Sequence, residues 1–198
     1  METGQVGYLV NQAKKGDQAA FTELVELYSE RIYNLGLRIL KNPDDAADML
    51  QETFIAVYEK IDSFDGRSNF FTWLYRIATN FALMKLRKGK RTIYTDQDME
   101  DQFDDPEKMQ IHEWQDLPLQ DMLNNEFRKH LDNAIDQLPE IYRSVFVIRD
   151  LENMSIKETS HILGITESNV KIRLKRARVY LREELAHYMD EFTRGIQS

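Results

Sequence analysis

An acidic segment divides the chain into two parts, and this division limits the folds that the chain can adopt. Residues 93–125 carry ten acidic residues against Lys108 alone, a formal charge of −9, whereas the rest of the 198-residue chain carries +1. Such a charge-dense segment, which also contains two prolines, buries too little apolar surface to offset its loss of conformational entropy on folding. We therefore expect a flexible linker over 93–125, with folded domains over 1–92 and 126–198.

Apolar residues in both folded parts recur at helical spacing, every three to four positions. No stretch alternates apolar and polar residues as a strand would. In the first part this spacing predicts helices over about 18–40, 45–61 and 69–88, with Asp17 placed to cap the first. In the second part it predicts helices over about 126–138, 139–150, 156–163 and 168–186. The predicted fold class is therefore all-α, with two small helical domains.

The second and third predicted helices each have a defined core face. In helix 45–61 the core face holds Ala46, Leu50, Phe54, Val57 and Ile61. The opposite face, which we expect to be exposed, holds Asp48, Gln51, Glu52, Ile55 and Glu59. In helix 69–88 the predicted core stripe holds Phe70, Trp73, Leu74, Ile77, Phe81 and Met84.

A helix-turn-helix is predicted over residues 155–186. Ser155 and Glu158 have the spacing of a capping box, in which the two side chains bond the backbone N–H groups that begin a helix. Gly164 permits a tight turn after that helix, and Thr166 is placed to cap the next one. The buried side of this second helix is predicted to hold Val170, Leu174, Ala177 and Leu181. The side pointing away is predicted to hold Ser168, Lys171, Ile172, Lys175 and Arg176.

The second helix of this motif is strongly basic in an acidic protein. From Lys171 to Arg182 it carries six basic residues and no acid. A basic stripe of this kind is typical of contacts with DNA phosphates, although a basic run alone fits a solvated cationic face equally well. Its position in a helix-turn-helix favours DNA binding.

A second basic cluster lies at the end of helix 69–88. Within seven residues it contains Lys85, Arg87, Lys88, Lys90 and Arg91. Positive charge at a helix C-terminus is also favourable without any ligand. On the same helix, however, Arg76, Asn80 and Arg87 share one edge, so we expect a second surface that contacts DNA.

Four motifs together resemble the sigma-70 family of RNA polymerase sigma factors, specifically its extracytoplasmic-function (ECF) group, which retains only sigma regions 2 and 4. Residues 48–54 (DMLQETF) resemble region 2.2, and 71–80 (FTWLYRIATN) resemble region 2.3. Residues 138–146 (LPEIYRSVF) resemble region 4.1, and 169–178 (NVKIRLKRAR) resemble the recognition helix of region 4.2. The resemblance implies a transcription initiation factor, not an enzyme, that binds core RNA polymerase, directs it to promoter DNA and helps to open the strands.

The resemblance also implies roles for residues of the first domain. The exposed face of region 2.2 would dock on core polymerase through Asp48, Gln51, Glu52 and Ile55. The turn before the third helix would capture a base flipped out of the minus-10 element, using Phe64, Asp65, Gly66, Arg67 and Ser68. The adjacent DNA backbone would be held by Arg76, Asn80, Lys85, Arg87, Lys88 and Arg91. The linker, by contrast, is unusually acidic for the family, and from its charge we predict that it crosses the RNA exit path of the polymerase as a nucleic-acid mimic.

In the second domain the resemblance implies that the recognition helix enters the major groove of the minus-35 element. Lys171, Ile172 and Lys175 are the candidates for base edges, since lysines can donate to guanine and Ile172 can contact a thymine methyl. The candidates for the phosphates of the same element are Arg173, Arg176 and Arg178, and Ser168 is a further candidate for contact with this element. Ile172 and Lys175 differ from the usual family residues, as does Met84, which stands where relatives commonly have Asp.

Other classes of function find little support in the sequence. A stand-alone helix-turn-helix regulator would leave the motifs of the first domain without a role, and a sigma-like decoy would not need the basic stripes. The four histidines lack metal-ligand spacing, and there is no cysteine or nucleotide-binding glycine loop, so we expect no cofactor, no metal and no small-molecule substrate. No apolar stretch approaches the length of a membrane span. We expect a soluble cytoplasmic protein, controlled by an anti-sigma factor as most relatives are.

Overall fold

The computed structural model describes residues 2–89 and 125–196, and these residues form helices with no strand among them. The all-α prediction is confirmed for these ranges. Apart from Asn125, the predicted acidic linker lies outside the described residues. The helices are α1 (Glu2–Ala13), α2 (Gln18–Leu40), α3 (Pro43–Lys60), α4 (Phe70–Gly89), α5 (Asn125–Gln137), α6 (Glu140–Phe146), α7 (Ile156–Leu163) and α8 (Glu167–Ile196). A 3₁₀ turn (Ile61–Ser63) follows α3, and a π-helical turn (Val147–Leu151) follows α6.

Contacts between Cα atoms divide the described helices into two compact units. The first unit contains α1 to α4 together with the segment Lys157–Ile165, which is most of α7. The second unit contains α5, α6 and α8.

In the first unit, capping side chains set where the helices begin. The carboxylate of Asp17 accepts hydrogen bonds from the N–H groups of Ala19 (2.9 Å) and Ala20 (3.2 Å), which confirms the predicted cap of α2. Asn42 caps α3 in the same way, because its side-chain oxygen accepts hydrogen bonds from the N–H groups of Asp44 and Asp45. With Pro43 at its first position, α3 begins two residues before the predicted start, because proline is well tolerated there.

The core of this unit lies between α2, α3 and α4, and α1 packs against α2. Helices α2 and α3 approach closely at Gly36, where a Cβ atom would lie 2.7 Å from Cε of Met49 and 3.3 Å from Cα of Ala46. Met49 is fully buried at this contact, although the sequence did not place it on the core face of α3. The exposed side of α3 is as predicted.

The predicted core stripe of α4 is partly wrong. Phe70 and Leu74 are buried, but Met84 is 48% exposed, and Trp73, Ile77 and Phe81 are half-buried. The innermost positions of the helix are instead held by Tyr75, Ala78, Thr79 and Ala82. Small residues allow α4 to approach its neighbours closely, so the helix is rotated away from the stripe that its large apolar residues suggest.

In the second unit, α6 and α5 both pack against α8. Pro139 is the cap residue of α6 and not its first helical residue, and the helix predicted to reach Asp150 changes to a π-helical turn after Phe146. Arg143 is buried and its guanidinium donates to the carbonyls of Asp136 and Leu138, both at 3.3 Å. Burial lowers the pKa of Arg143, while the charges of Glu140 and Asp136 oppose that shift.

The predicted starts of both helices of the helix-turn-helix are confirmed to within one residue, whereas the second helix ends at Ile196, ten residues beyond its predicted end at 186. Helix α7 begins directly after Ser155, and Gly164 has a positive φ of 67° in the turn. The turn is closed by Ser160, whose hydroxyl donates to the carbonyl of Ile165 at 2.7 Å. Thr166 caps α8 by accepting a bond from the N–H of Asn169 at 3.2 Å.

Candidate nucleic-acid interface

A pocket of about 770 Å³ lies in the first unit, between the turn that precedes α4 and the helices α1 and α2. This volume is within the range of sites that hold small organic groups. All five residues predicted to capture a flipped base line it: Phe64, Asp65, Gly66, Arg67 and Ser68. Its charged lining residues are Lys14, Arg31 and Arg67 against Asp65, so cations outnumber the single acid. The pocket therefore combines a cationic lining with the aromatic rings described below.

The turn itself is stabilised by bonds between near neighbours. The carboxylate of Asp65 accepts the N–H of Arg67 at 3.1 Å and pairs with the guanidinium of the same residue at 2.9 Å. Gly66 has a φ of +75°, a conformation that side-chain-bearing residues rarely adopt. Asn69 caps α4 by accepting the N–H of Phe71 at 3.0 Å. The backbone of the turn is thus ordered before any ligand binds.

Aromatic rings form the floor of the pocket. Phe64 packs against Phe70 and Trp73, with ring centroids 5.6 Å and 5.2 Å away. These two contacts occupy part of the surface of the Phe64 ring. The stacking of this ring on a base stays a prediction. Arg31 lies over the ring of Phe71, with 4.2 Å from its Cζ to the centroid, so a guanidinium plane also faces this region.

The predicted basic edge of α4 is exposed at Asn80, Arg87 and Lys88. Arg76 is exposed as well, and its Nη1 lies 3.1 Å from Nε2 of His161 within the same unit. Lys85 is different, because its ammonium lies between two carboxylates of α3. The predicted contact through Arg91 lies outside the described residues.

The predicted polymerase-docking face of α3 is open to solvent. Asp48, Gln51 and Glu52 are exposed, and Ile55 is 53% exposed in their midst. One turn further along, Tyr58 is 59% exposed, a large apolar side chain that the sequence reasoning did not select. An acidic surface with exposed apolar side chains suits a partner that is basic at its rim and apolar at its centre.

The recognition helix α8 buries its predicted side, with Val170, Leu174, Ala177 and Leu181 all in the core. Ser168, Lys171 and Ile172 are exposed, and Ile172 is 44% exposed. Lys175 and Arg173 are half-buried.

Two arginines that are predicted to contact phosphates also form bonds to side chains of the second unit. Arg176, predicted to point away from the core, is half-buried and donates to the hydroxyl of Tyr142 at 3.3 Å. Arg178 forms a bidentate ion pair with Asp150, at 2.7 Å and 2.8 Å. The structure thus gives Arg178 a role inside its own domain.

Sequence reasoning missed the residues that α1 and α2 bring to the pocket. They include Asn11 and Lys14 near the end of α1, and Tyr28 and Arg31 on α2. A signal for α1 was present, because Val6, Leu9, Val10 and Ala13 have helical spacing and the last three are buried. Nothing local to these residues indicates that they face a turn some 30 to 50 positions away.

Two other kinds of site were sought in the described ranges. No three His, Cys, Asp or Glu side chains there lie close enough together to hold a metal ion. None of the helices in those ranges combines the length and the apolar character needed to cross a membrane.

The chain is similar to known proteins over nearly its whole length. The family models Sigma-70 region 2 and Sigma-70, region 4 match residues 24–92 and 128–181. The ECF RNA polymerase sigma factor SigW of Bacillus subtilis (strain 168) is 39% identical over 176 residues, covering 89% of this chain and 94% of that relative. The chain belongs to the ECF group of the sigma-70 family. As an ECF sigma factor it is a transcription initiation factor and not an enzyme, which confirms that part of the prediction.

Another relative carries the same family name, and two solved structures share the fold. The ECF RNA polymerase sigma-E factor of Escherichia coli (strain K12) is 36% identical over 171 residues, covering 86% of this chain and 88% of that relative. CnrH, solved with the cytosolic domain of CnrY, shares the fold at a TM-score of 0.63 and 23% identity, over 91% of this chain and 96% of CnrH. The sigma factor RpoE, solved with the anti-sigma factor NepR from Bartonella quintana, matches at a TM-score of 0.59 and 26% identity, over 84% of this chain and 96% of RpoE.

Proposed function

We propose that this ECF sigma factor uses three separate surfaces to start transcription. The exposed face of α3 binds core RNA polymerase, the pocket beside α4 captures a base of the minus-10 element, and α8 reads the minus-35 element. The observation that carries the proposal is the pocket of about 770 Å³, lined by a preformed turn, aromatic rings and three cationic side chains. The corresponding domains are 1–92 and 126–198, with the acidic linker between them.

Core polymerase binds through Asp48, Gln51, Glu52 and Ile55. The central contact is Ile55, because an exposed isoleucine gains the most from being desolvated by a partner. The surrounding acids steer a basic partner and set its orientation, while contributing less to affinity.

Minus-10 DNA binds as a single strand at the pocket. An unpaired base enters between the turn 64–68 and the aromatic floor, and the adjacent phosphates follow the exposed edge formed by Arg76, Asn80, Arg87 and Lys88. Capture of an unstacked base offsets the free energy of strand separation, so opening needs no nucleotide hydrolysis. Arg91 is a further candidate for contact with the same backbone, and so is Lys85, whose ammonium also pairs with Asp45 and Asp48.

Minus-35 DNA binds as a duplex at α8. Lys171, Ile172 and Lys175 contact base edges in the major groove. The phosphates on either side are contacted by Ser168, Arg173, Arg176 and Arg178. Arg176 and Arg178 also bind Tyr142 and Asp150, so a phosphate contact by either residue shares the guanidinium with that bond.

An anti-sigma factor controls the protein by covering its polymerase-docking surface. The support is that the sigma factor RpoE, a solved structure of the same fold, is bound to the anti-sigma factor NepR. Ile55 and Tyr58 give such an inhibitor an exposed apolar target. The protein works in the cytoplasm, where core polymerase and promoters are found.

Run-off transcription from a pool of promoter fragments tests the proposal. Bacterial core polymerase, shown to be competent with another sigma factor, is used with and without this protein. Transcripts that depend on the protein, and promoters selected at both elements, are expected. DNA binding without transcripts would contradict the proposed polymerase contact.

A pair of variants then tests the docking face. Ile55→Ser should remove binding to core polymerase while the thermal unfolding midpoint stays within a few degrees of the wild type, because Ile55 lies outside the core. Leu37→Ser is the matched control, since Leu37 is an exposed apolar residue of α2, outside the proposed face. An equal loss of binding to core polymerase in both variants would contradict a specific role for α3.

A further inference from the structure

A long-range hydrogen bond joins the pocket wall at the end of α1 to the turn. The ammonium of Lys14 donates to the carbonyl oxygen of Phe64 at 2.6 Å, across 50 positions of sequence. Lys14 is half-buried and lines the pocket, whereas its neighbour Lys15 is exposed. Lys14 lies outside the family-model match, which begins at residue 24.

The bond stands out because the other hydrogen bonds described for the turn are local. The N–H of Phe64 donates to the carbonyl of Ile61, and the N–H of Arg67 donates to the carboxylate of Asp65. The N–H of Phe71 donates to the side-chain oxygen of Asn69, and each of these bonds spans at most three positions. Local bonds fix the shape of the turn but not its position relative to the opposite wall. The bond from Lys14 joins the turn to α1 and so sets the width of the pocket on that side.

Lysine is suited to this task. Its ammonium has three donors, of which the Phe64 carbonyl accepts one, and a hydrogen bond from a charged donor is stronger than one between neutral groups.

We propose that Lys14 is a positioning residue for base capture: it holds the Phe64 carbonyl and thereby keeps the turn 64–68 at the distance from α1 that receives an unpaired base. The inference rests on the proposed function of the pocket. It assigns α1 to the DNA-binding site, where Lys14 acts through the turn and selects which base fits.

The test compares variants of the full chain bound to core polymerase. Lys14→Met removes the donors at similar length, Lys14→Arg retains a donor, and Lys15→Met removes the same charge next to the site. The probes are single-stranded oligonucleotides that carry the minus-10 sequence selected by run-off transcription. In a series of such probes each base in turn is replaced or made abasic, and affinities are measured at several salt concentrations.

Wild-type protein is expected to prefer one base at one position by about tenfold, or about 1.4 kcal/mol, since a pocket that receives a flipped base hydrogen-bonds the edges of only some bases. Lys14→Met should lose this preference while the salt dependence of binding stays unchanged. Lys14→Arg should recover most of it, and Lys15→Met should behave as the wild type.

Two results would overturn the role of Lys14 while leaving base capture intact. In the first, Lys14→Met keeps the base preference of the wild type. In the second, it binds every probe more weakly by the same factor and its salt slope falls by about 0.7, which is the mark of a lost phosphate contact.

A third result concerns the pocket itself. If wild-type protein shows no base preference at any position, base capture by the pocket fails and the role of Lys14 fails with it. Cooperative thermal unfolding of each variant verifies its fold, and Lys14→Gln, which is one bond too short for the contact, replaces Lys14→Met if that variant does not fold.

Discussion

The ammonium of Lys85 on α4 lies 3.1 Å from the carboxylate of Asp48 on α3 and 3.3 Å from that of Asp45. This contact joins the proposed polymerase-docking face to the basic end of α4 that is proposed to hold DNA. The side chain of Lys85 is 21% exposed and that of Asp48 is 64% exposed, so the pair contributes little to stability, under about 1 kcal/mol. Its main effect is to orient Lys85 toward α3.

The ion pair predicts a loss of stability at alkaline pH. Partial burial lowers the pKa of Lys85, but hydrogen bonds and charge from Asp48 and Asp45 outweigh this and raise it above 10.5. A raised pKa in the folded state gives stability that is fully present below pH 10.5 and is lost as the pH rises through the folded value. Urea unfolding of wild type and Lys85→Met from pH 8 to 11.5 should show a constant difference that closes above pH 10.5.

Lys88→Met is the control for this comparison, since Lys88 is exposed on the same helix. Its difference from the wild type should stay within about 0.5 kcal/mol at every pH. A difference for Lys85→Met that widens with rising pH would contradict the assigned pair.

Gly66 is predicted to be required for its backbone conformation and not for lack of space. Its φ is +75°, and no atom lies within 4 Å of where a Cβ would be. Gly66→Ala should therefore cost about 1 kcal/mol in the free energy of unfolding and weaken single-strand binding. Gly66→Asn should cost less, because asparagine tolerates this conformation better.

The same substitution elsewhere provides a control of opposite sign. Gly4 lies in α1 with no atom near a built Cβ and no positive φ, so Gly4→Ala should stabilise the protein by up to about 1 kcal/mol. Urea unfolding measures both variants. A stabilising Gly66→Ala would show that the turn adopts another conformation in solution.

Arg178 is predicted to stabilise its domain more than it affects the choice of DNA sequence. It forms a bidentate pair with Asp150, whose side chain is only 13% exposed. Arg178→Met should therefore cost about 1–2 kcal/mol of unfolding free energy, because a carboxylate loses its partner in a partly buried site. Exposed Lys171 provides the contrast, since Lys171→Met should leave stability unchanged and weaken minus-35 binding. Equal stability of the two variants would contradict this division of roles.

Ile172 is predicted to contact a thymine methyl of the minus-35 element. It is 44% exposed on α8, so Ile172→Ala should change stability by less than about 0.5 kcal/mol. Replacing the contacted thymine by deoxyuracil removes only the methyl and should weaken wild-type binding about threefold. Ile172→Ala should be insensitive to that one replacement. If the variant remained as sensitive as the wild type at every thymine, Ile172 would have no such contact.

Features within one helix or turn could be predicted from the sequence, because they depend on neighbouring residues. The caps at Asp17 and Thr166, the turn at Gly164 and the exposed face of α3 all follow from spacing and side-chain chemistry. The motifs that identify the ECF group are equally local. For the same reason the residues of the turn 64–68 were identified before their surroundings were known.

The tertiary structure alone decided which faces meet. Met84 was expected in the core and is exposed, because the small residues of α4 pack inward and turn the helix. The partners of Lys85 and Arg178 lie 37 and 28 positions away, so no local pattern links them.

The bond from Lys14 to Phe64 spans 50 positions and joins a helix that no motif singled out to a turn that one did. Periodicity shows that a helix has an apolar side, but it does not specify the neighbour against which that side packs. The sequence by itself therefore determined where every described helix except α1 begins to within two residues, the turn at Gly164 and the family. The packing of α1 on α2 decided which side chains complete the pocket, because those contacts arise only when distant segments are brought together.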